Sequence, residues 1–242
     1  MKAEVITLNE KRNVTLTAYI QKTGGEFSNI KKRPAIIVLP GGAYEFCSDR
    51  EADPVALVYL KAGFQAFVLR YSVGEHKAWR NPLDDYEKAY RLICEKSDEW
   101  AVDTDRIAVI GFSAGGHLAG CAATVSACKP KAAVLGYAVL NKSTADWYSK
   151  DAPNVTASVD KSTCPCFIFA SKNDKTVPID NTIQFISALN NNGVDYECHI
   201  YSNAPHGFSV ADETVNSKAM DMCSCVPGWT RDSVEWLKET MK

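Results

Sequence analysis

Five residues, Gly111-Phe112-Ser113-Ala114-Gly115, constrain this chain more than any other stretch, because of what flanks them. Ahead of them, Arg106 to Ile110 is a short, β-branched apolar run of the kind a fully buried strand shows. Behind them, Gly116 to Ala123 is small and apolar, suited to a helix packed hard on a sheet. A Gly-x-Ser-x-Gly set between strand and helix has the context of a nucleophile elbow. Such a turn holds the serine in a strained backbone conformation and lifts its hydroxyl clear of the sheet. The residues two before and two after must then be small, so that strand and helix can pass closely. The blander alternative is an ordinary Gly-rich βα loop.

The rest of the chain reads as alternating strands and helices. Strands are expected at Val14 to Ile20, Ala35 to Leu39, Gln65 to Tyr71, Ala132 to Val139, Cys166 to Ala170 and Tyr196 to Tyr201. Between them fall helical patterns at Asp53 to Ala62, Pro82 to Trp100 and Ile179 to Asn190, with a last one at Trp229 to Met241. Strands alternating with helices of about ten residues or more imply parallel βαβ units joined right-handedly into a doubly wound sheet. The chain shows no internal repeats and no dividing linker, so residues 1–242 are expected to form one α/β domain. The irregular segment from Asn141 to Thr163, which carries Trp147 and Tyr148, is too short for a large cap domain.

Composition narrows the partners. A formal net charge of −2 gives no reason to expect nucleic acid or an anionic membrane surface. No window approaches the roughly 18 apolar residues of a transmembrane helix, and Met1 to Lys11 lacks the apolar core of a signal peptide. Nine scattered cysteines then read as reduced cytosolic thiols. The pairs Cys164/Cys166 and Cys223/Cys225 have no second pair or histidine cluster at zinc spacing, so no metal is expected. Oligomeric state is not legible.

In open α/β sheets the functional groups gather beyond the carboxyl ends of the strands. A serine hydroxyl needs a base within reach, itself oriented by a third group. Of the four histidines, His206 in Pro205-His206-Gly207-Phe208 lies just beyond the last strand and is the candidate base. His199 sits inside that strand, His117 one turn into the helix after Ser113, and His76 in a polar loop. Asp174, after the strand at 166–170, is the candidate acid. Its competitor Asp180 looks like the start of the following helix, where a carboxylate complements the dipole. Ser113, Asp174 and His206 follow the nucleophile–acid–base order of the α/β-hydrolase fold. An oxyanion would need backbone donors. Ala114 N–H is expected to supply one, and the loop Pro40-Gly41-Gly42-Ala43-Tyr44 the other.

The chain resembles α/β-hydrolase esterases of the acetylesterase and acetyl-xylan-esterase-like group, related to hormone-sensitive-lipase-type carboxylesterases. The resemblance rests on Pro-Gly-Gly-x-Tyr at 40–44 and Arg-Glu-Ala-x-Pro-Val-Ala at 50–56. It extends through Gly-Phe-Ser-Ala-Gly-Gly-His-Leu-Ala at 111–119, Asp-x-x-Val-Pro at 174–178 and His-Gly-Phe at 206–208. It implies a cofactor-free serine esterase with Ser113, Asp174 and His206 as triad and Gly42, Ala43 and Ala114 around the oxyanion. Related enzymes read His-Gly-Gly-Gly where this chain has Pro40 and Ala43, which leaves the loop's donor open between Gly42 and Ala43. The implied substrate is a small-molecule ester, above all acetyl on a sugar hydroxyl such as that of a xylo-oligosaccharide. Tyr44, Trp147 and Phe208 are candidate substrate-binding rings, with Phe46 and Trp79 also near the loops. Formamidase-like and prolyl-oligopeptidase-type amide hydrolases share the Gly-x-Ser-Ala-Gly-Gly-His-Leu segment and form the alternative; a binding protein would normally have lost one of the three residues.

Overall fold

The computed structural model describes residues 1–216 and 218–242. Within these residues eight strands form one sheet: β1 (Lys2–Asn9), β2 (Val14–Ile20), β3 (Arg33–Leu39), β4 (Gln65–Arg70), β5 (Val102–Phe112), β6 (Ala132–Gly136), β7 (Cys166–Ser171) and β8 (Tyr196–Tyr201). Their order is β1-β2-β4-β3-β5-β6-β7-β8. The β1–β2 and β2–β4 pairings are antiparallel, and the strands from β4 to β8 run parallel. Among the described residues six helices accompany them: α1 (Asp53–Lys61), α2 (Asn81–Glu95), α3 (Ser113–Thr124), α4 (Lys142–Ala145), α5 (Asp180–Asn192) and α6 (Trp229–Thr240). This is the α/β-hydrolase fold, a mostly parallel sheet flanked by helices.

The central strands read as continuous apolar runs because both faces of the sheet are covered. Successive side chains on a strand point to opposite faces. Ile37, Leu39, Val109 and Leu135 therefore pack with α2, α3 and α5, while Ile36, Val38, Ile110 and Val134 pack with α1 and α6. All eight are fully buried. Each contributes about 1.5–3 kcal/mol over an exposed position.

The structure departs from the sequence reading in three places. Strand β1 is not among the expected strands: its burial alternates, with Glu4, Ile6 and Leu8 on the sheltered face and Val5 and Thr7 exposed, but polar and apolar residues stand on both faces of this edge strand. Helix α2 stops at Glu95 rather than Trp100. Trp100 is nonetheless buried, because its ring packs on Phe67 and its indole N–H donates to Glu4. Strand β6 ends at Gly136, since Tyr137 turns out of the sheet at φ +35° and the segment after it runs to the elbow, where Val139 N–H donates to Ser113 O.

The parallel arrangement brings the carboxyl ends of β3, β5, β6, β7 and β8 to one edge of the sheet. Among the described residues, no helix is long and apolar enough to cross a membrane.

Candidate active site

Ser113 sits where β5 turns directly into α3, at φ +52°, and is 7% exposed. The turn is possible only because backbone passes backbone: a Cβ on Gly111 would lie 2.1 Å from Gly115 O, and one on Gly115 would lie 2.2 Å from Leu39 O. All twelve residues of α3 are buried, and no side chain caps its N-terminus. The first-turn amides, Ala114 N–H among them, have no partner within the helix and are available to a ligand atom.

The β7 and β8 loops bring the other two residues to this hydroxyl. His206 Nε2 lies 3.0 Å from Ser113 Oγ, and His206 Nδ1 lies 2.7 Å from Asp174 Oδ2. The Asp174 carboxylate is itself fixed, since its Oδ1 accepts the Thr176 and Val177 N–H groups at 2.8 and 3.0 Å. A carboxylate only accepts, so Nδ1 carries the proton and Nε2 accepts the hydrogen bond of the Ser113 hydroxyl. Asp180 is exposed in the first turn of α5 and makes no contact with His206.

The loop after β3 completes the site. Pro40 has no N–H, and its carbonyl accepts Tyr71 O–H at 2.6 Å. Gly41 N–H donates to the Glu51 carboxylate at 2.8 Å. The carbonyls of Gly41 and Gly42 accept the amides of Ser48 and of Glu45 and Phe46. Among the described residues, the Gly42 and Ala43 amides have no acceptor in the protein. Both residues line a cavity of about 220 Å³ together with Ser113, His206, Phe46 and Tyr148. Ala43 and Tyr44 hold left-handed conformations at φ +56° and +59°. Such backbone costs about 1–3 kcal/mol per residue and persists only where its surroundings impose it.

None of the three expected substrate-facing rings lines this cavity. Tyr44 is 2% exposed and lies in the core, its hydroxyl 2.8 Å from His117 Nδ1. Phe208 is 1% exposed and packs against Tyr137 and Phe169. Neither offers a ring face to a substrate; both are structural, because the loops carrying them fold back over the sheet. Trp147 is 64% exposed but outside the cavity, which its neighbour Tyr148 lines. Phe46 lines it from the other loop. Sequence reasoning also passed over Glu51, whose one signal was its place in the 50–56 motif.

His117 is a structural histidine with a measurable consequence. Its Nε2 faces Pro153 O at 3.0 Å, and a carbonyl only accepts, so Nε2 carries the proton and Nδ1 accepts from Tyr44 O–H. Burial lowers its pKa from 6.5 to about 4. The unfolded chain therefore binds a proton from about pH 6.5 downward while the folded one does not. Stability present above pH 6.5 is lost as pH falls toward 4, by about 3 kcal/mol at 1.36 kcal/mol per unit. Urea unfolding of the wild type and His117→Gln at several pH values between 7.5 and 4.5 measures this. The wild type is expected to lose stability more steeply than the variant; parallel slopes would remove His117 as the cause.

The sequence profile of the dienelactone hydrolase family matches residues 77–241. Among solved structures, an α/β hydrolase from a Medee basin deep-sea metagenome library superposes with a TM-score of 0.93 at 39% identity, over 100% of this chain and 98% of that one. An acetyl ester-xyloside bifunctional hydrolase from Caldicellulosiruptor lactoaceticus gives 0.84 at 29% identity, over 98% and 96% of the two chains. An acetylxylan esterase from Xylanibacter ruminicola is 29% identical over 196 residues, 72% of this chain and 41% of its own length. The chain spans 33% and 41% of the length of two curated relatives that it matches over most of its own length.

Proposed function

The chain belongs to the dienelactone hydrolase family, and from that premise we propose that it is a serine carboxylesterase that removes short acyl groups, above all acetyl, from sugar hydroxyls. The observation that carries this reading is the continuous hydrogen-bond chain from Ser113 Oγ through His206 to Asp174, facing amides without an acceptor. In the proposed cycle Ser113 Oγ attacks the ester carbonyl as its proton passes to His206 Nε2. Asp174 holds the imidazole in the required tautomer and stabilises the imidazolium. The oxyanion is met by Ala114 N–H and by the Gly42 and Ala43 amides. His206 returns the proton to the leaving alcohol, the acyl group stays on Ser113, and a water activated by the same base releases it.

The sugar as alcohol is supported by the names of the acetylxylan and acetyl ester-xyloside relatives. A polar groove of about 320 Å³ on the other side of His206, where Asn173, Lys175, Asn203 and Asp221 converge, fits a hydroxyl-rich leaving group. The scattered cysteines support a reducing compartment such as the cytosol for the proposed reaction.

The short acyl group is supported by the size of the cavity. Its volume of about 220 Å³ falls below the roughly 300–1,000 Å³ of pockets that bury drug-sized ligands. A methylene that finds apolar surface gains about 0.8 kcal/mol, so a lipase-like site rewards chain length several-fold per carbon. Here the added carbons meet water. With p-nitrophenyl esters, kcat/KM is expected to be highest for acetyl and to fall by butyryl and hexanoyl. Activity rising out to octanoyl, or turnover of an aminoacyl anilide or N-formylkynurenine above that of the acetyl ester, would overturn the reading.

A further inference from the structure

Glu51 is an acidic side chain only 4% exposed that takes no part in the proton transfers above. Burial pushes its pKa up, while its hydrogen bonds and the neighbouring His206 and Arg50 oppose that rise. Its Oε2 accepts Gly41 N–H at 2.8 Å. Its Oε1 accepts the Tyr137 hydroxyl at 2.6 Å. The Tyr137 oxygen in turn accepts Ser209 N–H at 3.1 Å, three residues beyond His206, and the Tyr137 ring packs edge-on against the His206 imidazole with centroids 5.0 Å apart. Ser209 Oγ closes the circuit by donating to Arg50 O, next to Glu51.

We propose that Glu51 is a positioning residue for the esterase reaction, a buried carboxylate that locks the oxyanion loop and the His206 loop to each other. The proposal rests on the reading of the site as a serine esterase and extends it. The oxyanion loop is held at left-handed φ values at Ala43 and Tyr44, and the His206 loop at Ser209 and Ala211. Strained segments of this kind relax unless something imposes them. By taking the Gly41 amide, Glu51 sets the peptide direction from which the next two amides follow, and those two have no acceptor in the protein. By taking the Tyr137 hydroxyl it fixes the surface against which His206 rests.

The requirement is for a carboxylate rather than for volume. Gly41 N–H can only donate, and the Tyr137 hydroxyl donates because Glu51 Oε1 accepts its proton. A glutamine accepts on one oxygen alone, so one of the two donors would face an NH2 group. The strain held in the loops is then free to relax, and the oxyanion donors lose their aim.

The test is Glu51→Gln, with Tyr137→Phe as the second variant, each compared with wild type on p-nitrophenyl acetate. Active sites are counted by fluorophosphonate labelling, so that misfolded protein does not enter kcat. Direct loss of one oxyanion donor costs about 10²–10³ in rate, and an indirect loss of aim is expected to cost about 10–100-fold in kcat per labelled site. KM is expected to stay within about threefold, because the interaction matters only as charge develops. Affinity for a phenylboronic acid, which places an oxygen in the oxyanion position, is expected to fall with kcat. Tyr137→Phe is expected to lower kcat by about tenfold in the same pattern, since it cuts only the arm to the His206 loop.

A per-site kcat and boronate affinity within threefold of wild type in Glu51→Gln would overturn the proposal. So would a loss carried entirely by KM. If Glu51→Gln yields no folded protein, Tyr137→Phe decides by the same criteria. A wild type that neither labels at Ser113 nor turns over the ester sinks the esterase reading itself and this proposal with it. An active wild type with indifferent variants sinks the role of Glu51 alone.

Discussion

Ser113→Ala is expected to leave the fold in place and to lower kcat for p-nitrophenyl acetate by about 10⁴–10⁶, leaving what binding and oxyanion stabilisation alone provide. The fold survives because little structure depends on the hydroxyl: the Oγ has one side-chain partner, His206. An alanine at φ +52° carries the same backbone strain as the serine it replaces. The activity does not survive, because among the described residues no other hydroxyl in the cavity hydrogen-bonds His206 Nε2. His117 cannot substitute as a base either, being wholly buried and engaged with Pro153 and Tyr44. Circular dichroism melting and ester turnover on the same preparation measure both halves, and a fluorophosphonate is expected to label Ser113 in the wild type and nothing in the variant. Turnover within a hundredfold of wild type, or labelling at another serine, would show that the nucleophile lies elsewhere.

Gly115→Ala is expected to have the largest effect on stability. The added Cβ would lie 2.2 Å from Leu39 O and 2.3 Å from Pro40 O, both backbone atoms where β3 runs into the loop of residues 40–44. Neither oxygen can rotate away, so α3 and β3 must separate by about an ångström. Overpacking that moves backbone costs about 3 kcal/mol or more, a large part of the 5–15 kcal/mol that holds a domain folded. For a chain of this size, that lowers the melting midpoint by roughly 6–20 °C, or prevents folding. Gly193→Ala provides the contrast. Gly193 closes α5 at φ +67°, and an added Cβ there would meet nothing within 4 Å, so only the left-handed strain remains, about 1 kcal/mol and a shift of roughly 2–4 °C. If Gly115→Ala melts within 3 °C of wild type, the close approach at the elbow is not what requires glycine there.

Much of this architecture is written locally. The βα alternation is readable because strands covered on both faces are apolar throughout and helices covered on one face repeat with a period near 3.6. The elbow is readable because its constraint falls on five consecutive residues. Strand β1 is not, because on this edge strand polarity does not follow burial: Glu4 sits on the sheltered face and Val5 on the exposed one. The ends of α2 and β6 are set by the packing of Trp100 on Phe67 and by the exit of Tyr137 toward Ser113, which no local rule announces.

The sequence by itself determined the order of the strands from β2 on, the fold class and the three residues whose side chains meet at the end of the sheet. Each rests on short-range rules: periodicity, the small residues of a tight turn, and the position of a loop after its strand. Only the tertiary structure decided which rings face the cavity and which groups hold the loops. Tyr44 and Phe208 look like substrate-facing aromatics until the loops fold back and bury them against His117 and Phe169. Phe46 and Tyr148 line the cavity from separate loops. Glu51 is one acidic residue among many along the chain, and its weight comes from contacts to Gly41, ten residues away, and to Tyr137, 86 residues away. Burial and long-range hydrogen bonding depend on how distant segments converge, and that convergence has no period in the sequence from which to read it.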